Sequence, residues 1–331
     1  MSAHVLHEGR DKDLDDLAAT ARAELVRLIE ASGAWDRDPV WREAFEAVPR
    51  HLFVPYYYAG AVTGQQRLWG ESPDPRTRER WVRGAYADSP LATRMRDGEL
   101  LSSSSQPSLM AAMLTELRVE DGHNVLEIGA GTGYNAALLA HRLGDAHVTT
   151  VDLDPEITES ARLHLAAAGH HPVVVTGDGA RGVPERAPFD RIIATCTLTS
   201  VPRAWLAQCR PGARILTPFA TGLAALTVHD AEQAEGRFLH TSAYFVPLRG
   251  GTRPETDISH LGALPRRTRE HELFRFLLAL TRGSLDPQEA YALWEREGRP
   301  VRERYGITVS GDREWAWLDE PTGPYAWPLP G

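Results

Sequence analysis

Three glycines at alternate positions follow a short run of apolar residues. The segment reads Val125-Leu-Glu-Ile-Gly129-Ala-Gly131-Thr-Gly133-Tyr134, which predicts a buried strand that passes through a glycine turn into a helix. Glycine lets the backbone approach a ligand closely, and the first turn of the helix offers unpaired amide donors. Because Tyr134 stands where the G-x-G-x-x-G dinucleotide fingerprint has its last glycine, the spacing favours S-adenosylmethionine over NAD.

Three acidic residues follow three consecutive predicted strands. Glu127 can face the cationic end of a methyl donor, Asp152 can accept hydrogen bonds from ribose hydroxyls, and Asp178 can accept one from the adenine amine. Each alone is better explained by a solvated loop carboxylate, but the set with the glycine turn predicts a cofactor site. The complete predicted cofactor set is Glu127, Gly129, Ala130, Gly131, Thr132, Gly133, Tyr134, Asp152, Leu153, Asp178, Gly179 and Thr195.

Alternating strands and helices must position these residues. From about residue 107 the pattern predicts helices over 108–117, 134–143, 155–168 and 203–208, and strands over 124–128, 147–151, 173–176, 191–194 and 214–217. Such alternation indicates an α/β fold with a parallel, doubly wound sheet. Ligands of these sheets bind at the carboxyl ends of the strands, where the predicted residues fall.

Less regular segments flank this core. Before it, we predict an amphipathic helix over 13–31 with Asp13 as N-cap, a short helix within 41–55 that is broken at Pro49, and an elaborated loop or cap over 56–88. After it, we predict strand-like pieces at 223–229 and 244–246, helices over 270–280 and 286–295, and two strands around the turn at residues 310–312. Four late tryptophans should form a small satellite core. We therefore divide the chain into a cap and substrate segment (1–106), a cofactor-binding core (107–220) and an extension (221–331) for peptide recognition or packing.

Composition argues against several classes of protein. The 331 residues are 42% apolar and 24% charged, with no run long enough to cross a membrane and no secretory signal pattern, so we expect a soluble, cytoplasmic protein without a membrane partner. A formal charge of −9 argues against a nucleic-acid partner. Cys196 and Cys209 lack metal-ligand spacing, so we expect no metal and two buried apolar residues. His51 is expected to make a structural hydrogen bond.

Several motifs resemble those of one family in the same order. They are Arg50-His-Leu-Phe-Val-Pro55, Tyr86-Ala-Asp88-Ser-Pro-Leu91, the serine-rich segment ending in Pro107, VLEIGAGTGY, TGDGARG and FDRIIATCTLTSVPRAWLAQCRPGARIL. Over residues 40–220 the chain resembles protein L-isoaspartyl O-methyltransferases. The resemblance implies a Rossmann-like class I methyltransferase fold with a mainly parallel seven-stranded sheet, carried here between an N-terminal helical cap and a C-terminal α+β extension. It also implies carboxylate methylation by S-adenosylmethionine, with S-adenosylhomocysteine as product.

The family's Thr-Ile-Ser-x-Pro segment, which lies over the transferring methyl group, corresponds here to Ser103-Ser104-Ser105-Gln106-Pro107. The resemblance therefore assigns Ser105 to catalysis, as a residue that positions the carboxylate, and Ser103 and Ser104 to substrate binding. Tyr86 and Asp88 match the family's Tyr-x-Asp and would shape the substrate pocket, although loop-anchoring hydrogen bonds explain them equally well. A carboxylate is already ionised at neutral pH, so the chemistry needs orientation more than acid–base help.

Three features depart from a general repair enzyme: the Arg- and Trp-rich stretch 65–85, the serine run and the length beyond residue 220. The long form, with the motifs of residues 304–309 and 317–319, is similar to methyltransferases that accompany ribosomally made, modified peptides such as graspetides and lanthipeptides. The leading hypothesis is methylation of an aspartate in such a peptide, leading to aspartimide and isoaspartate. The alternative is repair of isoaspartyl proteins, and the partner in both cases is a peptide or protein carrying an aspartyl or isoaspartyl carboxylate. A nucleic-acid methyltransferase and a non-catalytic cofactor-binding scaffold are less favoured.

Overall fold

The computed structural model describes residues 2–60, 66–96, 98–249 and 264–329, with side chains from residue 13 onward. The chain divides into two compact units. The first consists of residues 1–122 and 130–176, and the second of residues 123–129 and 177–331. The three-part division drawn from the sequence follows other boundaries and stays a prediction.

Helices and strands alternate through much of the chain. The helices of the described residues are α1 (Ser2–Ala31), α2 (Val40–Ala47), α3 (Pro75–Ala85), α4 (Pro107–Leu117), α5 (Tyr134–Leu143), α6 (Pro155–Ala167), α7 (Arg203–Ala207), α8 (Arg266–Glu270), α9 (Glu272–Leu280) and α10 (Pro287–Arg296). The strands of the same residues are β1 (Tyr56–Ala59), β2 (Gln66–Trp69), β3 (Leu91–Arg96), β4 (Glu99–Ser104), β5 (Val125–Ile128), β6 (Val148–Asp152), β7 (Val173–Thr176), β8 (Phe189–Ala194), β9 (Cys209–Phe219), β10 (Gly222–Val228), β11 (Gln233–Ser242), β12 (Tyr305–Ser310), β13 (Arg313–Leu318) and β14 (Ala326–Pro328). None of the described helices is long and apolar enough to cross a membrane.

A small antiparallel sheet in the first unit corrects the prediction of a loop over 56–88. Its strand order is β2-β1-β3-β4, and α3 lies between β2 and β3 in the chain. The start of α3 carries a signal that the sequence analysis missed, because the carboxylate of Asp74 accepts from the amides of Arg76 and Thr77 while Pro75 occupies the first helical position. Residues 61–65 of the predicted loop lie outside the described residues.

The remainder of the first unit follows the predicted pattern with one correction. Helix α1 begins at Ser2 rather than at an N-cap formed by Asp13, because no proline interrupts the preceding residues and polar residues alone do not end a helix. Strands β6 and β7 pair in parallel. Helix α6 begins after Asp154, whose carboxylate accepts from the amides of Glu156 and Ile157.

The second unit holds a mixed sheet. Among its described residues the strand order is β14-β13-β12-β11-β10-β9-β8-β5. β5, β8 and β9 are parallel neighbours, as predicted, whereas β9 to β14 are antiparallel. The extension beyond residue 220 therefore enlarges the sheet. Residues 244–246 form no strand of their own, and β11, which the sequence analysis missed, lies before them.

Tryptophan side chains pack in the interior of the extension, as the predicted satellite core requires. Trp294, Trp317 and Trp327 are buried, and Trp315 is half-buried. The indole of Trp317 covers Gly306, where an added Cβ would lie 2.1 Å from the ring. Its Nε1 donates to the hydroxyl of Thr308 over 2.9 Å. A side chain at position 306 would displace the indole, so the glycine is a packing requirement.

Candidate active site

In the first unit, the second half of the glycine turn is held in a left-handed conformation. Gly131 has φ +51° and Gly133 has φ +86°, values that side chains rarely tolerate. The amide of Gly131 donates to the carboxylate of Asp152 over 3.2 Å, and the amide of Asp154 donates to the same carboxylate over 3.3 Å. Asp152 is thus oriented by the backbone at the carboxyl end of β6, and the neighbouring Leu153 is exposed.

Residues 102–105, called here the serine segment, run beside this turn within the same unit. The carbonyl oxygen of Ser103 lies 3.5 Å from the position that a Cβ on Gly131 would take. The main chains of β4 and the glycine turn are therefore in van der Waals range. The roles that the resemblance gives to Ser103 and Ser105 stay predictions.

One buried guanidinium fixes the serine segment. Arg50 is fully buried and donates to the carbonyl oxygens of Ala85, Ala87, Ser89, Ser104 and Ser105 and to the hydroxyl of Ser104. Burial lowers the pKa of Arg50 to about 10, so the group stays charged at neutral pH. The motif Arg50-His-Leu-Phe-Val-Pro55 contains Arg50 but does not by itself predict this role. An arginine among apolar residues is the signal that could have revealed it, because such a cation is buried only when it is paired.

The three predicted serines have different surroundings. Ser104 is buried and its hydroxyl accepts from Arg50 over 3.3 Å. The carbonyl of Ser105 is held by Arg50 over 3.0 Å, whereas its hydroxyl has no hydrogen-bond partner among the described residues. Ser104 therefore contributes to packing, and the half-buried Ser105 keeps a hydroxyl that can orient a substrate.

Tyr86 and Asp88 make the anchoring contacts that were one of their two interpretations. The carboxylate of Asp88 accepts from the amide and hydroxyl of Ser108, each over 2.8 Å, at the first turn of α4. The hydroxyl of Tyr86 lies 2.7 Å from Nδ1 of His51. Burial raises the pKa of Tyr86 to about 12 and lowers the pKa of His51, so burial favours the neutral form of both groups. His51 makes the expected structural hydrogen bond.

Two further predicted cofactor residues face the interior of the first unit. The ring of Tyr134 is buried and packs 5.5 Å from the ring of Phe53 and 6.2 Å from that of Phe45. The carbonyl oxygen of Thr132 lies 3.0 Å from Nδ1 of His164. Tyr134 thus anchors α5 to the cap, and only its backbone is suited to a ligand.

In the second unit, Thr195 fixes the first half of the glycine turn. Its hydroxyl donates to the carbonyl oxygen of Gly129 over 2.8 Å. Gly129 has φ +96°, and an added Cβ would lie 2.6 Å from that hydroxyl. Glu127, two residues earlier on β5, is buried. Glu127 and Thr195 therefore belong to the carboxyl ends of two paired parallel strands.

Asp178 and Gly179 follow in the second unit as a tight turn. The carboxylate of Asp178 accepts from the amide of Ala180 over 3.0 Å. A Cβ on Gly179 would meet Ile128 at 2.7 Å, and its carbonyl accepts from the indole of Trp205 over 2.8 Å. The turn is closely packed, and the second oxygen of Asp178 pairs over 3.9 Å with the exposed Arg181, a contact that a ligand can replace.

The loop of residues 195–201, called here the β8 loop, is held by the extension. The amide of Thr197 donates to the carbonyl of Val246, and the amide of Val201 donates to both oxygens of Glu314 over 2.9 and 3.1 Å. Glu314 is buried, and burial raises its pKa to about 7. Glu314 could not be predicted as a partner of this loop from the sequence, since Val201 lies 113 residues away.

The sequence profile of the protein-L-isoaspartate(D-aspartate) O-methyltransferase (PCMT) family matches residues 76–253. A protein-L-isoaspartate O-methyltransferase of Methanopyrus kandleri is 34% identical over 242 residues, which cover 71% of this chain and 94% of the relative. The protein-L-isoaspartate O-methyltransferase 1 of Anaeromyxobacter sp. is 37% identical over 237 residues, which cover 70% of this chain and 96% of the relative. The chain belongs to this family.

Solved structures agree on the fold of this methyltransferase. A protein-L-isoaspartate O-methyltransferase structure matches with a TM-score of 0.59 and 24% identity, over 93% of this chain and 98% of its own. A Plasmodium falciparum structure described as a beta-aspartate methyltransferase in complex with S-adenosyl-L-homocysteine matches with a TM-score of 0.52 and 14% identity, over 69% and 98%. These matches confirm the class I methyltransferase fold. The first match extends into the residues beyond 220, because it covers 93% of this chain.

Family membership makes this protein a carboxyl methyltransferase that uses S-adenosylmethionine, as predicted. Its own residues fit that donor. The glycines at 129 and 131 have backbone conformations unsuited to side chains, and a Cβ on the first would be obstructed. The carboxylates of Asp152 and Asp178 can accept from hydroxyl and amine groups.

Proposed function

We propose that this methyltransferase esterifies the free carboxylate of an isoaspartyl residue in a protein or peptide. The observation that carries the proposal is the serine segment, which Arg50 fixes beside Gly131 in the first unit. The names of the relatives support the isoaspartyl substrate. A solved structure with the same enzyme name matches over 93% of this chain, so the length of the chain does not favour a dedicated peptide as substrate. This proposal places the alternative from the sequence analysis ahead of the dedicated-peptide hypothesis.

The assignment of individual residues belongs to the same proposal. The methyl-donor assignments of Glu127, Asp152, Asp178, Thr195 and the backbone of the glycine turn rest on the sequence motifs and on the family, and each is tested by substitution of that residue. The donor supplies an electrophilic methyl group on a sulfonium. Ser105 donates a hydrogen bond to one oxygen of the substrate carboxylate, and Ser103 contributes its main chain to the wall of the site.

The reaction asks little proton transfer of these residues. One carboxylate oxygen forms a bond to the methyl carbon while the carbon–sulfur bond breaks, and the electron pair of that bond stays on sulfur. The negative charge of the carboxylate and the positive charge of the sulfonium disappear together. The protein must therefore hold the carboxylate in line and keep water away from it.

The decisive experiment supplies methyl-labelled S-adenosylmethionine with three peptides of the same sequence. One carries isoaspartate, one carries aspartate in a linear chain, and one carries aspartate in a macrocycle. Base-labile label on the isoaspartyl peptide alone is the expected result. Label on the macrocycle alone, followed by a mass lower by about one water, would instead establish the dedicated-peptide hypothesis.

A further inference from the structure

One face of the small sheet is not used in its packing on α3. The hydroxyl of Tyr57 donates to the carbonyls of Arg80 and Trp81 in α3, so Tyr57 points to the helix. Neighbouring side chains of a strand alternate in direction, and Tyr56 and Tyr58 therefore point to the opposite face. The register places two β2 residues across from them, Trp69 and Arg67. We call Tyr56, Tyr58, Arg67 and Trp69 the Tyr56 face.

The Tyr56 face presents an exposed cation on an aromatic support. The guanidinium carbon of Arg67 lies 4.3 Å from the ring centre of Tyr56 and 6.0 Å from that of Trp69. Within the described ranges, no carboxylate lies within ion-pairing distance of Arg67. Stacking fixes the orientation of the guanidinium but uses none of its hydrogen-bond donors.

A second cation, Arg94, lines a cavity that Tyr56 also lines. We call it the Arg94 cavity. The cavity has a volume of about 70 Å³ and is lined by Arg94, Thr93, Ser102 and the backbone turn at Gly131, among others. Arg94 pairs with Glu156, whose side chain is 67% exposed. The surface thus runs from Arg67 past Tyr56 and Arg94 to the serine segment.

The charge of this region is opposite to that of the whole chain. The four strands of the small sheet carry three arginines (Arg67, Arg94 and Arg96) and one carboxylate (Glu99), whereas the complete sequence has a net charge of −9. A local cationic surface on an acidic protein attracts anionic partners selectively. Nucleic acid is the poorer candidate, because the remaining acidic surface repels a long polyanion.

We propose that the Tyr56 face and the Arg94 cavity dock acidic side chains that flank the methyl-accepting residue of a substrate peptide. This inference rests on the proposed function, since it assumes a peptide substrate at the serine segment. Arg67 binds a flanking carboxylate in a bidentate manner. Arg94 binds a second one by exchanging its exposed partner Glu156 for the peptide.

The test uses isoaspartyl peptides of one length whose flanking residues are all Glu, all Gln or all Lys. We expect kcat/KM to be highest for the Glu peptide and to fall with added salt. Arg67→Ala should raise KM for the Glu peptide about three- to tenfold and leave kcat and the Gln peptide unchanged. Glu156→Gln should lower KM for the Glu peptide, because it frees Arg94.

Arg313→Ala is the matched control. Arg313 also stacks on an aromatic ring, at 5.2 Å from Trp315, but it belongs to the second unit. Its replacement should change neither KM value. Equal effects of the Arg67 and Arg313 variants, or equal kcat/KM for the Glu and Gln peptides, would overturn the docking surface while leaving the proposed function intact.

Fluorescence anisotropy of the same labelled peptides separates the two proposals. If none of the peptides is methylated, the proposed function fails, and weaker binding of the Glu peptide to the Arg67 variant still supports the docking surface. Tighter binding of a single-stranded oligonucleotide than of the Glu peptide would overturn it.

Discussion

The serine segment and the β8 loop are both fixed by a buried charged residue, but the charges have opposite signs. Arg50 donates to several carbonyls of the serine segment, and Glu314 accepts from one amide of the β8 loop. A guanidinium whose pKa is about 10 stays charged at every physiological pH. A carboxyl whose pKa is about 7 does not. Arg50 should therefore hold the serine segment in the same way at every physiological pH, whereas the contact between Glu314 and the β8 loop should change as Glu314 ionises.

The largest effect is expected from loss of the buried cation. Arg50→Ala leaves several buried carbonyls without a donor and should lower the free energy of unfolding by about 3–5 kcal/mol. Urea unfolding of the purified variant measures this change. Arg42→Ala, which removes an exposed arginine paired with Glu46, is the control and should leave the midpoint unchanged. A stable Arg50→Ala protein would show that the serine segment does not depend on this residue.

Glu314 should make stability depend on pH. Its folded pKa of about 7 lies above the ordinary value of 4.5, so its contribution is fully present below pH 4.5 and is lost as pH rises through 7. The Glu314→Gln substitution keeps the shape of the side chain but removes its ionisable carboxyl group. The variant should therefore gain about 3 kcal/mol relative to the wild type between pH 4 and pH 9, as measured by urea unfolding. If the free energy of unfolding of the two proteins changed with pH in the same way, ionisation of Glu314 would not affect stability, and Glu314 would not differ from Arg50 in its response to pH.

Gly129→Ala should affect both stability and donor binding. The alanine combines an unfavourable φ of +96° with a Cβ 2.6 Å from the Thr195 hydroxyl, and we expect a loss of about 1–3 kcal/mol. The Kd for S-adenosylmethionine, measured by calorimetry, should rise at least about tenfold if the turn is cofactor-binding. Gly144→Ala is matched, since it has φ +89° but open space around it. Equal Kd values for the two variants would disprove the steric argument.

The smallest structural effect is expected at Ser105. Ser105→Ala removes a hydroxyl without a partner among the described residues, so the unfolding midpoint should not change. Its kcat for the isoaspartyl peptide should fall about ten- to hundredfold, through poorer orientation. Ser104→Ala should instead lower the unfolding midpoint and leave kcat unchanged, because the hydroxyl of Ser104 accepts from Arg50. An inactive but stable Ser104 variant would exchange their proposed roles.

Local patterns in the sequence were sufficient to predict the core. The bounds of α5 and β7 are as predicted, and β12 and β13 flank the predicted turn, because periodicity and turn residues are encoded locally. The small sheet was missed because its first two strands have only four residues each and because β1 pairs with β3 only after α3 intervenes in the chain. Glu314 was missed for a related reason, since a lone acidic residue on a strand gives no sign of a distant partner.

The parallel pairing of β5 has a consequence for the order of folding. All four residues of β5 are buried, yet Val125 pairs with Arg191 on β8, which is synthesised much later. A nascent chain therefore exposes an apolar strand without its partner while the intervening residues emerge from the ribosome. Non-local pairing of this kind slows folding and leaves time for aggregation. The hairpins β9–β10 and β12–β13, by contrast, can form as soon as each has been made.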